Sequence, residues 1–467
     1  MIEFAGYLLF VLASGYYLIT NLQWYSYKLN RVLFHHTKPI WNVVYFIIPL
    51  GIYILASALL KMGIVVSLLY IGILFLWYRG LDKPLVWTGR IKRFFAILIV
   101  SALLMWFIAG CEFVFAPFVM AWIISLIVEK MLFFGYKAKA KAKIEGMKDL
   151  IVIGVTASYG KTSIKNFLAH ILQGSFRTYA TPRSVNTLGG IMKDINDDLP
   201  DNTQVYIVEM GARLKGDIAE IATFVNPHYA VVGKIGPAHI EYFKTLDAIA
   251  ATKMEILQSN RLKEAWLHES TMATSSAHMH LFGSDVTDVV STLDGTSFIL
   301  DGVKYEVPIL GDFHAINLAA AIKVAIALGI DKESIQKRLK TLKATPHRLE
   351  RIDAGGKLIL DDSFNGNIDG MMASFDLAST YSGRKVVITP GLVEAGEELN
   401  IQVAKRANEV FDLVVVTGGL NLAIFEKYVD KNKLIKLAQK SQMQDMLIKH
   451  TKAGDLILFA NDAPSFI

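Results

Sequence analysis

Apolar residues fall into two regimes along the chain. Up to about residue 130 they form long, almost unbroken runs at 4–19, 41–60, 64–78, 94–109 and 113–128. Each run approaches the ~20 residues that carry a helix across a bilayer, although the third is short and has to sit upright or thin the membrane. Five such runs with few charges argue against a set of core helices in a soluble domain. A cleaved signal peptide is not expected, because Met1-Ile2-Glu3 supplies no basic n-region and further apolar runs follow. From about residue 147 the pattern changes. Short β-type runs at 206–208, 230–233, 358–360, 385–388 and 413–416 alternate with helical periodicity at 164–172, 318–328 and 402–410. Strands alternating with helices predict an α/β fold with a mainly parallel sheet. Residues 259–310, rich in Ser, Thr, Gly and Asp, predict a small β-hairpin: 297–300 and 304–307 flank Asp301-Gly302, a strong hairpin turn.

Charge orients the first regime. Lys28, Arg31 and Lys38 separate the first and second runs, and Arg79, Lys83, Arg90, Lys92 and Arg93 the third and fourth. Lys130, Lys137, Lys139, Lys141 and Lys143 follow the fifth. The other two connections, Lys61-Met62-Gly63 and Gly110-Cys111-Glu112, carry little charge. The positive-inside rule then gives five spans, an outside N-terminus and a cytoplasmic remainder. Trp24, Tyr25, Trp41, Trp77 and Trp87 lie near the expected interfaces, as an aromatic belt would. The Lys-Ala alternation over 137–143 reads equally as a contact with anionic lipid or as a solvated helical linker. The net charge of +6 comes largely from these flanking clusters, and no basic stripe interleaves with aromatics, so nucleic acid is not indicated. The one cysteine, Cys111, allows no intrachain disulfide and no cysteine-based metal site.

Candidate chemistry begins at Gly154-Val155-Thr156-Ala157-Ser158-Tyr159-Gly160-Lys161-Thr162-Ser163, which follows the apolar Leu150-Ile151-Val152-Ile153. A buried strand, a tight turn and then a helix make a phosphate cradle of backbone N–H groups and a helix N-terminus. Lys161 would reach the outer phosphates and Thr162 would ligate Mg²⁺. The general P-loop carries a glycine where this chain has Val155. Further on, Glu209 closes a strand, where α/β ligand sites lie, and Gly236-Pro237-Ala238-His239 follows another. Taken alone, His239 reads as a helix-start residue, Lys253 as a surface lysine paired along its helix, and 311–317 as a cap for the helix that Gly329 ends.

In this order the pieces resemble the Mur ligases, the ATP-dependent amide-forming enzymes of peptidoglycan precursor synthesis, over residues of about 147 to 460. The phosphate loop resembles the family's, with Ala157 for its middle Gly. Thr181-Pro182-Arg183-Ser184-Val185-Asn186-Thr187 resembles the segment that meets the muramyl substrate. Glu209-Met210-Gly211-Ala212-Arg213 with Gly216-Asp217-Ile218, and Asp361-Asp362-Ser363-Phe364-Asn365-Gly366-Asn367, are similar to the D-alanyl-D-alanine-adding branch. Ala238-His239-Ile240-Glu241 and Lys253 match the metal-binding His and the carbamylated Lys, and His347-Arg348-Leu349-Glu350 matches the entry to the C-terminal domain. Two departures stand out. Ala315 replaces the usual Asn beside His314, while Asn317 still fits, and membrane spans replace the soluble domain that holds the uridine diphosphate.

The resemblance implies a membrane region at 1–136, a basic linker at 137–146, an ATP-binding P-loop central domain at 147–345 and a Rossmann-like C-terminal domain at 346–467. It also implies site roles. ATP would lie against Thr156, Ser158, Tyr159, Gly160, Lys161, Thr162 and Ser163, with Asn317 on adenine and Arg348 and Asp362 closing over the nucleotide. Thr162 and Glu209 would hold one Mg²⁺, and His239 with carbamylated Lys253 a second. Lys161, Lys253 and His239 would be catalytic, and Asn186, Thr187, Arg213 and Asn365 would meet substrate. The implied activity adds D-alanyl-D-alanine to a muramyl tripeptide through an acyl phosphate, at the cytoplasmic face of the inner membrane. The dipeptide's carboxylate calls for a cation and its methyl groups for a small apolar pocket. The alternatives are a folylpolyglutamate-synthase-like ligase, the ligase-like half of an amidotransferase acting on lipid-linked precursors, and a membrane ATPase or sensor.

Overall fold

The computed structural model describes the chain apart from residues 26, 28, 30, 31, 33–39, 82, 83, 112, 238–242, 365, 366, 394, 438, 439 and 462–467, with Lys440 described in its backbone alone. The chain divides into two units, Met1–Ala138 and Lys139–Ile467.

The first unit is helical: α1 (Ile2–Trp24), α2 (Ile40–Leu60), α3 (Gly63–Arg79), α4 (Gly89–Ala109) and the first part of α5 (Ala116–Gly146). All five apolar runs form helices, but among the described residues only α1, α2, α4 and α5 are long and apolar enough to cross a membrane. The third run gives 17 residues. At 1.5 Å per residue such a helix is ~26 Å long, short of a ~30 Å hydrocarbon core. By length and composition the described residues therefore hold four candidate spans where the sequence pattern predicts five.

Helix α1 is the most enclosed, with Tyr7, Phe10, Val11 and Tyr17 fully buried. Gly6 permits the close approach of α3: a Cβ there would lie 2.6 Å from the Ile64 backbone nitrogen. Ser67 Oγ, 2.7 Å from the carbonyls of both Gly6 and Gly63, reinforces that contact. Small residues and short hydrogen bonds are how helices associate where lipid gives no hydrophobic drive. The outward faces carry Leu55, Leu59, Leu76, Val100 and Phe107, all exposed, as lipid-facing positions would be. Trp77, at the end of its apolar run, packs inward against other helices. It is buried, with ring centroids 5.0 Å from Tyr17 and 6.2 Å from Tyr45, whereas Trp87 is exposed.

The second unit begins with the last turns of α5. Ala140 and Ile144 are buried in the core on one face of the first sheet, and Lys143 Nζ donates to the Leu199 carbonyl at 2.6 Å. The Lys-Ala alternation is thus helical and docked along one side, not a fully solvated linker. The first sheet has six parallel strands in the order β2-β3-β1-β4-β5-β6: β1 (Ile151–Thr156), β2 (Thr178–Ala180), β3 (Val205–Glu209), β4 (Tyr229–Val232), β5 (Glu264–His268) and β6 (Met279–Phe282). Both faces of the central strands are covered, so these strands are mainly apolar and alternate residues enter different cores. Ile153, Val155 and Ile207 join one, and Val152, Tyr206 and Val208 the other.

β7 (Val286–Thr292), β8 (Gly295–Leu300) and β9 (Val303–Val307) make a three-stranded antiparallel sheet. Its second hairpin is the expected one: Asp301 and Gly302 both take positive φ, 48° and 75°, as a two-residue turn of type I′ requires. β7 was not legible as its third strand. A second six-stranded sheet, β10-β11-β15-β12-β13-β14, is parallel except for the edge strand β10 (Glu350–Ala354). It contains β11 (Lys357–Asp362), β12 (Lys385–Thr389), β13 (Leu413–Thr417), β14 (Leu434–Leu437) and β15 (Leu456–Ala460).

Candidate functional site

Three neighbouring strands of the first sheet deliver their C-terminal ends to one edge. In register, Val155 of β1 lies opposite Glu209 of β3 and Val231 of β4. The chain crosses from β3 over β1 to β4, so the edge is a topological switch point, the place where α/β folds hold ligands. From β1 the chain turns through Gly160, at φ 80°, straight into α6 (Lys161–Gln173). The helix starts three residues earlier than its apolar periodicity suggested. Lys161, Thr162 and Ser163 therefore form its first turn, whose N–H groups have no partner within the helix. Lys161 Nζ curls back onto the carbonyls of Ala157 (2.9 Å) and Ser158 (3.2 Å), and Ser158 Oγ donates to Gly236 O at 3.0 Å. Burial draws the Lys161 ammonium below the ordinary lysine range; Glu209 opposes that shift and Arg348 adds to it.

Glu209 is the buried hub. Its Oε2 accepts from Thr162 Oγ1 at 2.9 Å and lies 3.3 Å from Lys165 Nζ, and its Oε1 accepts from Asn186 Nδ2 at 3.1 Å. A hydroxyl and a fixed carboxylate at the mouth of a phosphate loop are the oxygen set that suits Mg²⁺. That ion typically takes one or two carboxylates plus substrate phosphates. Thr162 and Glu209 fit it. Among the described residues no three His, Cys, Asp or Glu side chains cluster as a complete metal cage.

Between this edge and the second sheet lies a cavity of about 890 Å³, at the upper end of the ~300–1,000 Å³ usual for small-molecule sites. Ser158, Tyr159, Gly160, Lys161, Thr162, Ser163, Asn186, Glu209 and Asn317 line it from the first sheet's side, and Arg348 and Asp362 from the second's. Asn317 belongs to α10, the helix Phe313–Ala327, which packs on α6. (Between α6 and α10 come α7, Leu188–Asp197; α8, Asp217–Val225; and α9, Leu246–Met254.) A Cβ on Gly160 would lie 2.4 Å from Asn317 Oδ1, so the amide sits directly against the phosphate loop. His314 is buried against Phe313 and Phe167, and burial pushes its pKa down to about 3, leaving a neutral ring. Arg348 lies over the Phe364 ring at 5.3 Å, and Asp362 accepts from the Leu349 amide at 3.1 Å.

Other expected residues stand apart from the cavity. Thr156 is fully buried and donates to Met210 O at 2.8 Å, tying β1 to the end of β3. Thr187 caps α7, accepting from Gly190 N at 3.3 Å. Arg213 is exposed, with its amide bonded to Asp217 Oδ2 at 2.8 Å. Lys253, in the last turn of α9, does not line the cavity, yet it is 4% exposed and its pKa is lowered to about 7. Burial is the main cause and the Lys161 charge adds to it, against the pull of Asp217 and Glu255. Both acids are engaged by backbone: Glu255 accepts from Gly216 N (2.8 Å) and Ala219 N (3.1 Å), and Asp217 from Arg213 N (2.8 Å). As an ammonium Lys253 offers no lone pair to a metal. His239 and Asn365 lie outside the described residues. Sequence reasoning missed Lys165, and also Asn367 and Asn461, which line the cavity from the second sheet's side. The Asn367 signal was available, since its side chain caps the helix Ile368–Ser379 through Gly370 N at 2.8 Å.

Residues 155–325 match the Mur ligase middle domain. The UDP-N-acetylmuramoyl-tripeptide–D-alanyl-D-alanine ligase of Bacillus subtilis is 29% identical over 333 residues, 66% of this chain and 72% of that protein. The ligase of the same name from Synechocystis is 32% identical over 257 residues, 53% of this chain, and the match spans 56% of that protein's length. Among solved structures, the MurF ligase of Thermotoga maritima in complex with ADP aligns at 26% identity and a TM-score of 0.59, covering 70% of this chain and 80% of that one.

Proposed function

We infer that this chain, a MurF-like member of the Mur ligases, uses ATP to join D-alanyl-D-alanine to UDP-N-acetylmuramoyl-tripeptide. One observation carries the reading. A single cavity gathers the phosphate loop, Glu209, Asn186 and Asn317 on one side and Arg348 and Asp362 on the other. A carboxylate does not condense with an amine at neutral pH. Transfer of the ATP γ-phosphoryl group to a carboxylate oxygen makes an acyl phosphate, the amine nitrogen attacks its carbonyl carbon, and inorganic phosphate leaves. Positioning and charge neutralisation supply most of the catalysis of the first step.

In this reading Lys161 turns from its own loop's carbonyls to the phosphates, and Asn317 meets the adenine. Arg348 and Asp362 cover the nucleotide and keep water from the acyl phosphate. Bound Mg²⁺, held by Thr162 and Glu209, would neutralise phosphate charge. Lys253 joins the site as a carbamate: its amine attacks CO₂, an N–C bond forms, a proton leaves, and an oxygen ligand replaces an ammonium. Asn186 would face the acceptor. On the other side Ser363, Asn367, Ala373 and Val393 offer small polar and apolar groups for a dipeptide.

Amide formation from UDP-N-acetylmuramoyl-tripeptide and from its lipid-linked counterpart, each with D-Ala-D-Ala, D-Ala or glutamine, tests the substrates. The expected result is ADP release that requires both a muramyl acceptor and the dipeptide. Exclusive use of the lipid-linked acceptor would assign the substrate grip to the helical unit, which stands in place of a uridine-binding domain. Reaction with glutamine or glutamate alone would refute the dipeptide assignment, and ATP turnover needing neither substrate would favour a membrane ATPase.

The apolar helices suggest membrane association. The fuller proposal is a multi-pass anchor in the cytoplasmic membrane, with α3 as a fifth, upright span, the N-terminus outside and the ligase in the cytoplasm, where ATP is. Topology reporters fused at Met1, Lys28, Lys61, Lys83, Cys111 and Lys143 are expected to alternate outside and inside. An even number of crossings would remove α3 as a span. A reporter after Lys143 facing outward would defeat the ligase reading too.

A further inference from the structure

We propose that Lys165 is a positioning residue: it holds Glu209 in place for Mg²⁺ and ties that carboxylate to the segment 181–183. The proposal rests on the ligase reading of the cavity and adds to it a residue that touches neither nucleotide nor acceptor. Lys165 lies one helical turn beyond Lys161, on the same face of α6. Its side chain is 1% exposed. Three oxygens surround Nζ: the Thr181 carbonyl at 2.6 Å, the Arg183 carbonyl, and Glu209 Oε2 at 3.3 Å. An ammonium has three donors and no acceptor, so all three oxygens can be met at once. A buried lysine is tolerated when, as here, one partner carries the opposite charge and fixed carbonyls take its remaining donors.

Two independent features point the same way. Glu209 is held from three directions, by Thr162, Asn186 and Lys165, and only Lys165 brings a full positive charge within 4 Å of it among the described residues. Arg183 takes a left-handed φ of 49°, costly for a residue with a side chain, and the Lys165 ammonium bonds its carbonyl and that of Thr181 two residues earlier. Thr181 is further fixed through its Oγ1, which accepts from the Glu209 amide at 3.1 Å. One cation therefore anchors the end of β3, the start of α6 and the loop that leads to Asn186. Moving the loop disturbs the carboxylate, and moving the carboxylate disturbs the loop.

The test measures ATP binding to the full-length purified protein, by calorimetry, across Mg²⁺ concentrations and in EDTA, for wild type, Lys165→Met, Glu209→Gln and the double variant. Lys165→Met is expected to raise the Mg²⁺ concentration for half-saturation by about tenfold or more, and to leave binding in EDTA within about twofold. In the Glu209→Gln background, loss of Lys165 is expected to change the Mg²⁺ dependence no further, since the residue acts through Glu209. A folded Lys165→Met protein with wild-type Mg²⁺ dependence and only a lower Tm would overturn the proposal. If Lys165→Met does not fold, the double variant, which leaves no buried charge orphaned, decides: a further loss of about fivefold or more relative to Glu209→Gln overturns it, and no further loss upholds it. None of these measurements uses an acceptor or an amine, so a wrong substrate assignment would leave them intact.

Discussion

Lys161→Ala is expected to lower amide formation by ~10³-fold or more at saturating substrates while leaving the protein folded, the scale on which a cation opposite a transferring phosphoryl group acts. Lys161, half-buried, starts α6 at the end of the phosphate loop, and its hydrogen bonds go to two carbonyls of that loop, Ala157 O and Ser158 O. Alanine suits the first helical turn at least as well as lysine. The neighbours that shape the site, Thr162, Glu209 and Asn186, hold one another without Lys161. The loss should therefore fall on turnover, and the thermal midpoint should move little. Coupled ADP release, product chromatography and far-UV circular dichroism on the same preparation make the comparison. Near-wild-type turnover in a well-folded variant would overturn the phosphate-loop assignment and with it the order of steps.

The sequence exposed what is local and periodic. Strands β1, β3, β4, β11, β12 and β13 each hold a central apolar run because both faces of their sheets are covered, and such runs need no tertiary knowledge to read. Asp301-Gly302 announced its hairpin because few residues tolerate two successive positive φ values. Edge and short strands escaped. β2 has three residues, all partly exposed, and β7 reads as polar because five of its seven residues are solvent-exposed. The phosphate loop was legible through its Gly-Lys-Thr at a strand-to-helix turn. The constellation around Glu209 was not. Lys165 looks like a polar position on an amphipathic helix, and only the folding of 181–186 and 209 around it turns it into a buried cation. Thr156 and Thr187 show the converse. Both sit inside recognisable motifs, yet their hydroxyls are spent on Met210 O and Gly190 N, which spacing alone does not reveal.

Lys253 should require CO₂. A carbamate forms only from the neutral amine, and at neutral pH an ordinary lysine is neutral in only about one molecule in several thousand. Burial, with Lys161 nearby, lowers the Lys253 pKa to about 7, so close to half the amines are free at that pH. The direction in pH follows. Below the folded pKa the amine is protonated, CO₂ cannot add, and each further unit of acid costs about a factor of ten in free amine. The unmodified lysine also affects stability. Its folded pKa lies below its unfolded one, so between about 7 and the ordinary lysine value the unfolded chain binds more protons and stability rises with pH; below about 7 the penalty of the buried charge is present in full. Activity in CO₂-stripped buffer should therefore fall, recover on adding bicarbonate, and need more bicarbonate as pH drops below 7. Lys253→Ala should lose ~10³-fold or more, since it removes an oxygen ligand together with its charge, and short carboxylic acids should restore part of the loss by filling the vacated space with a carboxylate. Incubation with ¹³C-bicarbonate should give a carbamate resonance in wild type that Lys253→Arg lacks. Full activity without CO₂, or a wild-type spectrum with no such resonance while Mg²⁺ and ATP are bound, would leave Lys253 a buried structural amine and remove the second metal ligand from the mechanism.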